Sequence, residues 1–281
     1  MTAVLERPWA YSAFEVEVAA TVRLSMRFIR ITLRGDALRN FAEWGLDQRI
    51  KLVLPLPGGG LADFGLLDEP TPHPSDWYTR WKELDETERN VLRTYTPAAI
   101  RADDGEIDVD VYLHTPAGPA SAWAASARPG DRLVVTGPDR RMGWTGYGLH
   151  WHPGSARRVL LVADETAYPA ARNIVSALPD GVVADVMVDA AAPADDLLSP
   201  HVAAPHRAQR IDRDDAGGLE RAVAAWAGAT VDLPSGEVYV WLAGESGTVT
   251  SLRRLLTGRL GVPKDRVSFL GYWREGGPLV G

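Results

Sequence analysis

The chain has 281 residues, more than one hydrophobic core ordinarily serves, so two domains are expected. Its 37 acidic and 30 basic residues give a formal charge of -7, which argues against a globally basic nucleic-acid surface, and its 46% hydrophobic content argues against disorder. With no cysteine, the chain holds no disulfide, thiol nucleophile, thiolate zinc site or cysteine-bound cluster; redox chemistry would need an organic cofactor or a metal on other ligands.

Met1 to Ala10 carries Glu6, Arg7 and Pro8 and no apolar stretch of signal-peptide length. No apolar run approaches the length of a membrane span. A cytoplasmic location without a membrane partner is expected. Alternation then begins: Phe14, Val16 and Val18 against Glu15 and Glu17, then Ile29, Ile31 and Leu33 against Arg30, Thr32 and Arg34. Ile50 to Leu54 is a short apolar run. Gly58 to Pro74 is rich in Gly and Pro and reads as a long loop, and Ser75 to Asn90 as polar and partly helical, so about 58–90 is an insertion over one end of the sheet. Ile107, Val109, Val111 and Leu113 alternate with Asp108, Asp110 and Tyr112, the clearest period of two in the chain. Arg132 to Thr136 adds a strand ending at Gly137-Pro138. Such strands without long helices between them predict a barrel or sandwich.

The rhythm changes near His150 to Ser155, which suits a linker and divides residues 1–150 from 151–281. Strands are predicted at Arg158 to Ala163, Val182 to Val188, Ala208 to Ile211, Val238 to Ala243 and Val267 to Leu270. Helices are predicted at Thr166 to Leu178, Leu219 to Ala227 and Thr248 to Leu260. Strand–helix alternation predicts a parallel sheet with helices on both faces.

Two segments carry candidate chemistry. In Arg93-Thr94-Tyr95-Thr96, Tyr95 offers a ring to pack on a planar cofactor such as a flavin, Thr96 a donor to a ring nitrogen, and Arg93 a fork for phosphate. An ordinary strand, with Tyr95 in the core and Arg93 on the surface, fits the same four residues. Downstream, the Ile107 strand runs through Leu113 and His114 to Gly118-Pro119-Ala120-Ser121 and Trp123. A helix starting near Ala120 presents unpaired N–H groups to an anion, with Gly118 allowing close approach and Ser121 adding a hydroxyl; a Pro-initiated helix serving stability alone fits equally. His114 alone is more readily structural than catalytic. No Gly-x-Gly-x-x-Gly fingerprint is present. Asp164-Glu165-Thr166-Ala167 instead follows a strand, with Thr166 as candidate helix N-cap. Asp189 ends the next strand, where a carboxylate can bind a ribose 2′-hydroxyl and disfavour a 2′-phosphate, or can be a surface-loop charge. Ala243-Gly244-Glu245 ends a later strand.

As an ordered set, these segments resemble the FAD-binding barrel of the ferredoxin-reductase superfamily and, more narrowly, the siderophore-interacting protein family of ferric-siderophore reductases. The carrying residues are Asp47-Gln48-Arg49-Ile50-Lys51-Leu52, Arg93 to Thr96, Gly118 to Ser121 with Trp123, Pro129-Gly130-Asp131, Gly137-Pro138, Asp164 to Ala167 with Pro169-Ala170, Ala243 to Glu245, and Gly271-Tyr272-Trp273-Arg274. The resemblance implies an N-terminal antiparallel Greek-key β-barrel that binds FAD and a C-terminal α/β domain with a parallel sheet that binds NADH or NADPH. It implies reduction of Fe(III) in a siderophore and release of Fe(II). On this chain Arg93, Thr94, Tyr95 and Thr96 would meet the flavin. Leu113, His114, Gly118, Ala120 and Ser121 would hold its ribityl and phosphate groups. Asp164, Thr166, Ala167, Asp189, Gly244 and Glu245 would line the nicotinamide side, with Tyr272 and Trp273 near the flavin. No acid–base residue is obligatory, so no catalytic dyad is assigned. Lys51, Arg140, Arg141 and Arg274 are candidate cations for an anionic chelate, Lys51 and Arg274 by resemblance; solvated surface charges are the plainer alternative for each.

The chain departs from the family where arginines are frequent: Ala98 and Ala122 stand there, with Arg101 or Arg128 as candidate substitutes, and Tyr168 replaces a leucine. Weakened FAD retention is therefore an expectation. A non-catalytic siderophore-binding protein, or a flavin reductase serving a partner protein, stays open. The histidines form no metal-ligand pattern. Trp77 and Trp81 either pack or form a lid over the acceptor. A monomer is expected.

Overall fold

The computed structural model describes residues 10–276. The chain divides into two compact units, Met1–Leu149 and His150–Gly281. The first holds β1 (Tyr11–Arg23), β2 (Phe28–Arg34), β3 (Ile50–Val53), α1 (Pro74–Glu83), β4 (Leu92–Tyr95), β5 (Ala99–Arg101), β6 (Glu106–Tyr112), α2 (Pro119–Ser126) and β7 (Arg132–Pro138). Its seven strands pair antiparallel in the order β4-β3-β7-β1-β2-β6-β5. The edge strands β4 and β5 are consecutive in the chain, joined only by residues 96–98. Laid flat, seven strands would separate the edges by about 29 Å, whereas the link spans at most about 14 Å. The sheet therefore curls, and Thr96 lies at the seam.

Phe14, Val16 and Val18 face the core with Ile31, Leu33, Ile107, Val109, Val111 and Val135, as the alternation predicts. Asp108 departs from it: expected outward, it is only 6% exposed. Arg101 covers it with two hydrogen bonds of 2.8 and 3.0 Å, and Thr32 donates a third at 2.8 Å. Within the insertion, Trp77 on α1 is 1% exposed in a satellite core with Tyr11, Val53, Phe64, Leu66 and Val134. Trp81 donates to the Asn90 carbonyl at 2.8 Å and stacks on Tyr78 at 5.2 Å. These contacts correct the lid reading: both tryptophans fasten the insertion to its own barrel.

The second unit holds β8 (Arg158–Asp164), α3 (Tyr168–Ser176), β9 (Val183–Ala190), β10 (Arg207–Asp212), α4 (Gly218–Ala229), β11 (Val238–Glu245), α5 (Ser246–Arg254) and β12 (Val267–Trp273). All pairs are parallel, in the order β10-β9-β8-β11-β12. Leu160, Val162, Met187 and Leu242 pack with Val223 of α4 and Leu252 of α5 on one face, while α3 lies against β8 outside that cluster. The order reverses between β8 and β11, the switch point at whose carboxyl side such sheets bind ligands. Two predicted helices start or stop differently. The first begins at Tyr168 after a short 3-10 turn; the last gives way at Leu255 to a π-turn. No helix of the described residues is long and apolar enough to cross a membrane.

Candidate functional site

At the barrel seam, β3 and β4 set Ile50 opposite Tyr95, Lys51 opposite Thr94 and Leu52 opposite Arg93. Tyr95 and Arg93 thus share the face of the core residues Ile50 and Leu52, and Lys51 lies with Thr94 on the other face. Tyr95 is half-buried against the barrel core, and desolvation pushes its phenol up to about 12. Arg93 donates to the Leu92 carbonyl at 2.8 Å. The Lys51 ammonium lies 3.3 Å from Thr94 Oγ1, and desolvation, with Arg49 nearby, lowers its pKa. Thr96 is 4% exposed, and its Oγ1 is buried without a hydrogen-bond partner among the described residues. A buried hydroxyl left unpaired is destabilising, and a bound ligand is one of the partners that can complete such a group. In the residue that follows the half-buried Tyr95, that hydroxyl suits a ligand with hydrogen-bonding heteroatoms such as the flavin of FAD.

The turn into α2 qualifies the phosphate reading. Leu113 N–H donates to Arg27 O at 2.7 Å, and His114 Nδ1 lies 2.7 Å from Pro116 O. Gly118 is the N-cap; a Cβ there would stand 3.1 Å from the His114 ring. Pro119 has no N–H, and no side chain caps the first turn, so the N–H groups of Ala120 and Ser121 are the donors offered to an anion. The Ser121 hydroxyl is not one of them: buried, it donates to Tyr112 O at 3.2 Å and ties α2 to β6.

Several candidate cations are engaged elsewhere. Arg141 forks onto Asp139, which is fully buried and also accepts from Ser12, at 2.6 and 2.7 Å. It neutralises a core charge rather than offering one to a chelate. Arg140 pairs with the exposed Asp103 at 3.3 Å. Arg101, bound to Asp108 and Glu106, cannot replace the family arginine at Ala98, which is itself buried. Lys51 and Arg274 have no carboxylate partner among the described residues.

In the second unit, the predicted residues gather at the carboxyl edge of the sheet. Asp164, 4% exposed, accepts from Thr166 N–H at 2.9 Å, Thr166 Oγ1 at 2.5 Å and the Trp273 indole N–H at 2.7 Å. Asp164, not Thr166, is therefore the cap of this turn, because its carboxylate reaches the N–H two residues on. Desolvation lifts its pKa to about 6 against those hydrogen bonds. Trp273 reaches Asp164 from β12 across the end of β11, where Gly244 has φ +150° and a Cβ would stand 2.6 Å from Asp164 Oδ2. Glu245 caps α5 by accepting from Thr248 N–H at 2.8 Å. Ala167 is buried, Tyr272 half-buried, and Trp273 and Arg274 exposed. Burial of Tyr168 drives its hydroxyl pKa far up.

Asp189 lies inside β9, opposite Asp164 in register, and not in a loop after the strand. Its partner is Arg213, whose Nε donates to Asp189 Oδ1 at 3.2 Å and whose Nη2 donates to Glu165 at 2.5 Å. Neither Arg213 nor Glu165 stands out in the sequence as a site residue; only the acidic run Asp164-Glu165 hints at the second. Among the described residues, no three His, Asp or Glu side chains form a group able to hold a metal ion.

Comparison with known proteins gives the family. Residues 17–142 match the family described as "Siderophore-interacting FAD-binding domain" and residues 156–276 that described as "Siderophore-interacting protein". The chain belongs to the siderophore-interacting protein family and has the ferredoxin-reductase-like fold, with FAD as the cofactor of its first family match. It is 31% identical over 271 residues to "Uncharacterized protein Rv2895c" of Mycobacterium tuberculosis, covering 92% of this chain and 89% of that one. It is 28% identical over 262 residues to the Escherichia coli "NADPH-dependent ferric-chelate reductase", covering 92% of each. The chain spans about a quarter of the "Mycobactin import ATP-binding/permease protein IrtA" of Mycolicibacterium thermoresistibile, which it matches at 30% identity over 89% of its own length. A solved siderophore utilization protein from T. fusca superposes with a TM-score of 0.73 at 25% identity, over 98% of this chain and 97% of that one.

Proposed function

We propose that this chain is an FAD-dependent reductase that takes electrons from a nicotinamide donor and delivers them to a ferric siderophore, releasing the iron as Fe(II). The observation that carries the reading is the buried Thr96 hydroxyl, without a partner among the described residues, in the residue that follows Tyr95 at the barrel seam. Residues 1–150, with the insertion at about 58–90, would form the FAD-binding domain, and 151–281 the nicotinamide-binding domain. Tyr95 packs against the ring system, Thr96 donates to a ring heteroatom, and Arg93 supplies positive charge. The N–H groups of Ala120 and Ser121 receive the diphosphate at the uncapped start of α2.

When bound, FAD supplies the exchange between a two-electron hydride donor and one-electron ferric acceptors. No side chain is assigned a proton-transfer role in that exchange. Lys51 and Arg274, unpaired with carboxylates among the described residues, would attract an anionic chelate. The reading is supported by the names of relatives, which include ferric-chelate and ferric vibriobactin reductases. A monomeric, cytoplasmic protein is part of the proposal. Because Ala98 and Ala122 replace frequent arginines and Arg101 is engaged, FAD is expected to dissociate during purification.

The test is anaerobic. FAD-loaded protein mixed with NADH or NADPH should bleach at the flavin absorption band, and a ferric siderophore should restore it with Fe(II) trapped by a chelator. Bleaching without reoxidation would refute the siderophore substrate; no bleaching with either donor would refute the reductase.

A further inference from the structure

The carboxyl ends of β8, β9 and β10 lie side by side, with Asp164 opposite Asp189 and Ile211 opposite Asp189 in register. Arg213 follows β10 and closes over these ends. Its Nη2 donates to Glu165 at 2.5 Å and to the Asp189 carbonyl at 3.0 Å, and its Nε to Asp189 Oδ1 at 3.2 Å. Glu165 is 2% exposed, and its other oxygen accepts from Ala191 N–H at 3.0 Å. Arg213 is thereby fixed between two carboxylates, and the three side chains together carry one net negative charge, with Asp164 adding to it when ionised. Asp189 Oδ2 has no hydrogen-bond partner among the described residues and stays available as an acceptor.

We propose that Asp189, braced by Arg213 and Glu165, makes this chain select NADH over NADPH. The free oxygen of Asp189 accepts from the adenosine ribose 2′-hydroxyl, while the net negative set opposes a 2′-phosphate. Glu165 is a positioning residue: it takes the Nη2 donor of Arg213 and, with Asp189, outweighs the guanidinium charge, so a 2′-phosphate would meet a set that is net negative. This assignment rests on the reading of the second unit as the donor domain, and it separates the chain from the Escherichia coli relative whose name specifies NADPH.

Binding of ADP-ribose and of 2′-phospho-ADP-ribose, measured by calorimetry on the full chain, tests the proposal without redox turnover. Wild-type protein should bind ADP-ribose at least about tenfold more tightly, the discrimination a single repelled charge produces. Asp189→Asn and Glu165→Gln should each narrow that ratio to about threefold or invert it, and Arg213→Ala should widen it by exposing both carboxylates. A purely structural role for the trio would lower both affinities together and leave the ratio unmoved, which overturns the proposal. Equal or tighter binding of 2′-phospho-ADP-ribose by the wild type overturns it while leaving the donor domain intact. Failure of both ligands to bind overturns the donor-domain reading and this inference together.

Discussion

At the barrel seam a buried hydroxyl, Thr96 Oγ1, has no partner among the described residues, whereas at the carboxyl edge of the parallel sheet the buried carboxylates of Asp164 and Glu165, and the partly buried ones beside them, are hydrogen-bonded. Asp164 holds Thr166 and Trp273, Glu165 and Asp189 share Arg213, and Glu245 caps α5. In the function proposed above, the first region is one that a ligand completes. The second is self-satisfied, so a ligand there has to fit around charges already paired. The difference separates two uses of burial: one leaves a polar atom waiting, and the other fixes the sign of the local charge. A ligand-completed site should gain from its ligand and lose little without it, while a self-satisfied site should lose stability as soon as one member is removed.

The largest expected effect sets an arginine paired with a buried carboxylate against an equally exposed arginine paired with a surface one. Arg141→Ala leaves Asp139, which is fully buried, without its charge partner and should destabilise the barrel by about 4 kcal/mol in denaturant titration. Arg140→Ala, which breaks only an exposed pair, should stay within about 0.5 kcal/mol. Equal effects would erase the distinction between them.

Next comes a pH experiment on the self-satisfied edge. The Asp164 pKa stands near 6 in the folded chain against an ordinary 3.8, so the folded state favours its protonated form. As pH rises from 4 towards 6, the unfolded chain ionises this group first, and the folded state loses stability relative to it. That loss, about 3 kcal/mol at pH 7, is absent from Asp164→Asn. The stability difference between variant and wild type should therefore move in the variant's favour between pH 4 and pH 7. A pH-independent difference would contradict the assignment. Gly244→Ala, which puts a Cβ against Asp164 at φ +150°, should cost about 2 kcal/mol, read as a lowered Tm of the second unit. An unchanged Tm would mean that the edge relaxes freely.

The parts legible in the sequence are those set by local periodicity. The alternation through Ile107 to Val111 specifies a strand whose apolar face is buried, whereas Arg93 to Thr96 stands out through the family resemblance and says nothing of the seam. The closure of the sheet is not local; it follows from β4 and β5 being chain neighbours yet sheet opposites. The Ser121 hydroxyl points to Tyr112 because the fold brings that carbonyl beneath it, nine residues upstream. Arg213 lies 48 residues from Glu165 and 24 from Asp189, so no spacing rule exposes the brace. Asp108, Arg101 and Arg141 show the same limit: a charge on an alternating strand reads as solvent-facing until its partner's position is known.

The smallest of the expected effects bears on the central assignment, that Thr96 waits for the flavin. Thr96→Val keeps the shape and removes the unpaired hydroxyl, so the unliganded protein should be as stable as wild type or slightly more so. Titration of both proteins with FAD, followed by quenching of flavin fluorescence, should show affinity reduced about tenfold in Thr96→Val, equivalent to about 1.4 kcal/mol. Equal FAD affinity in the two proteins, or no quenching in either, would contradict the account.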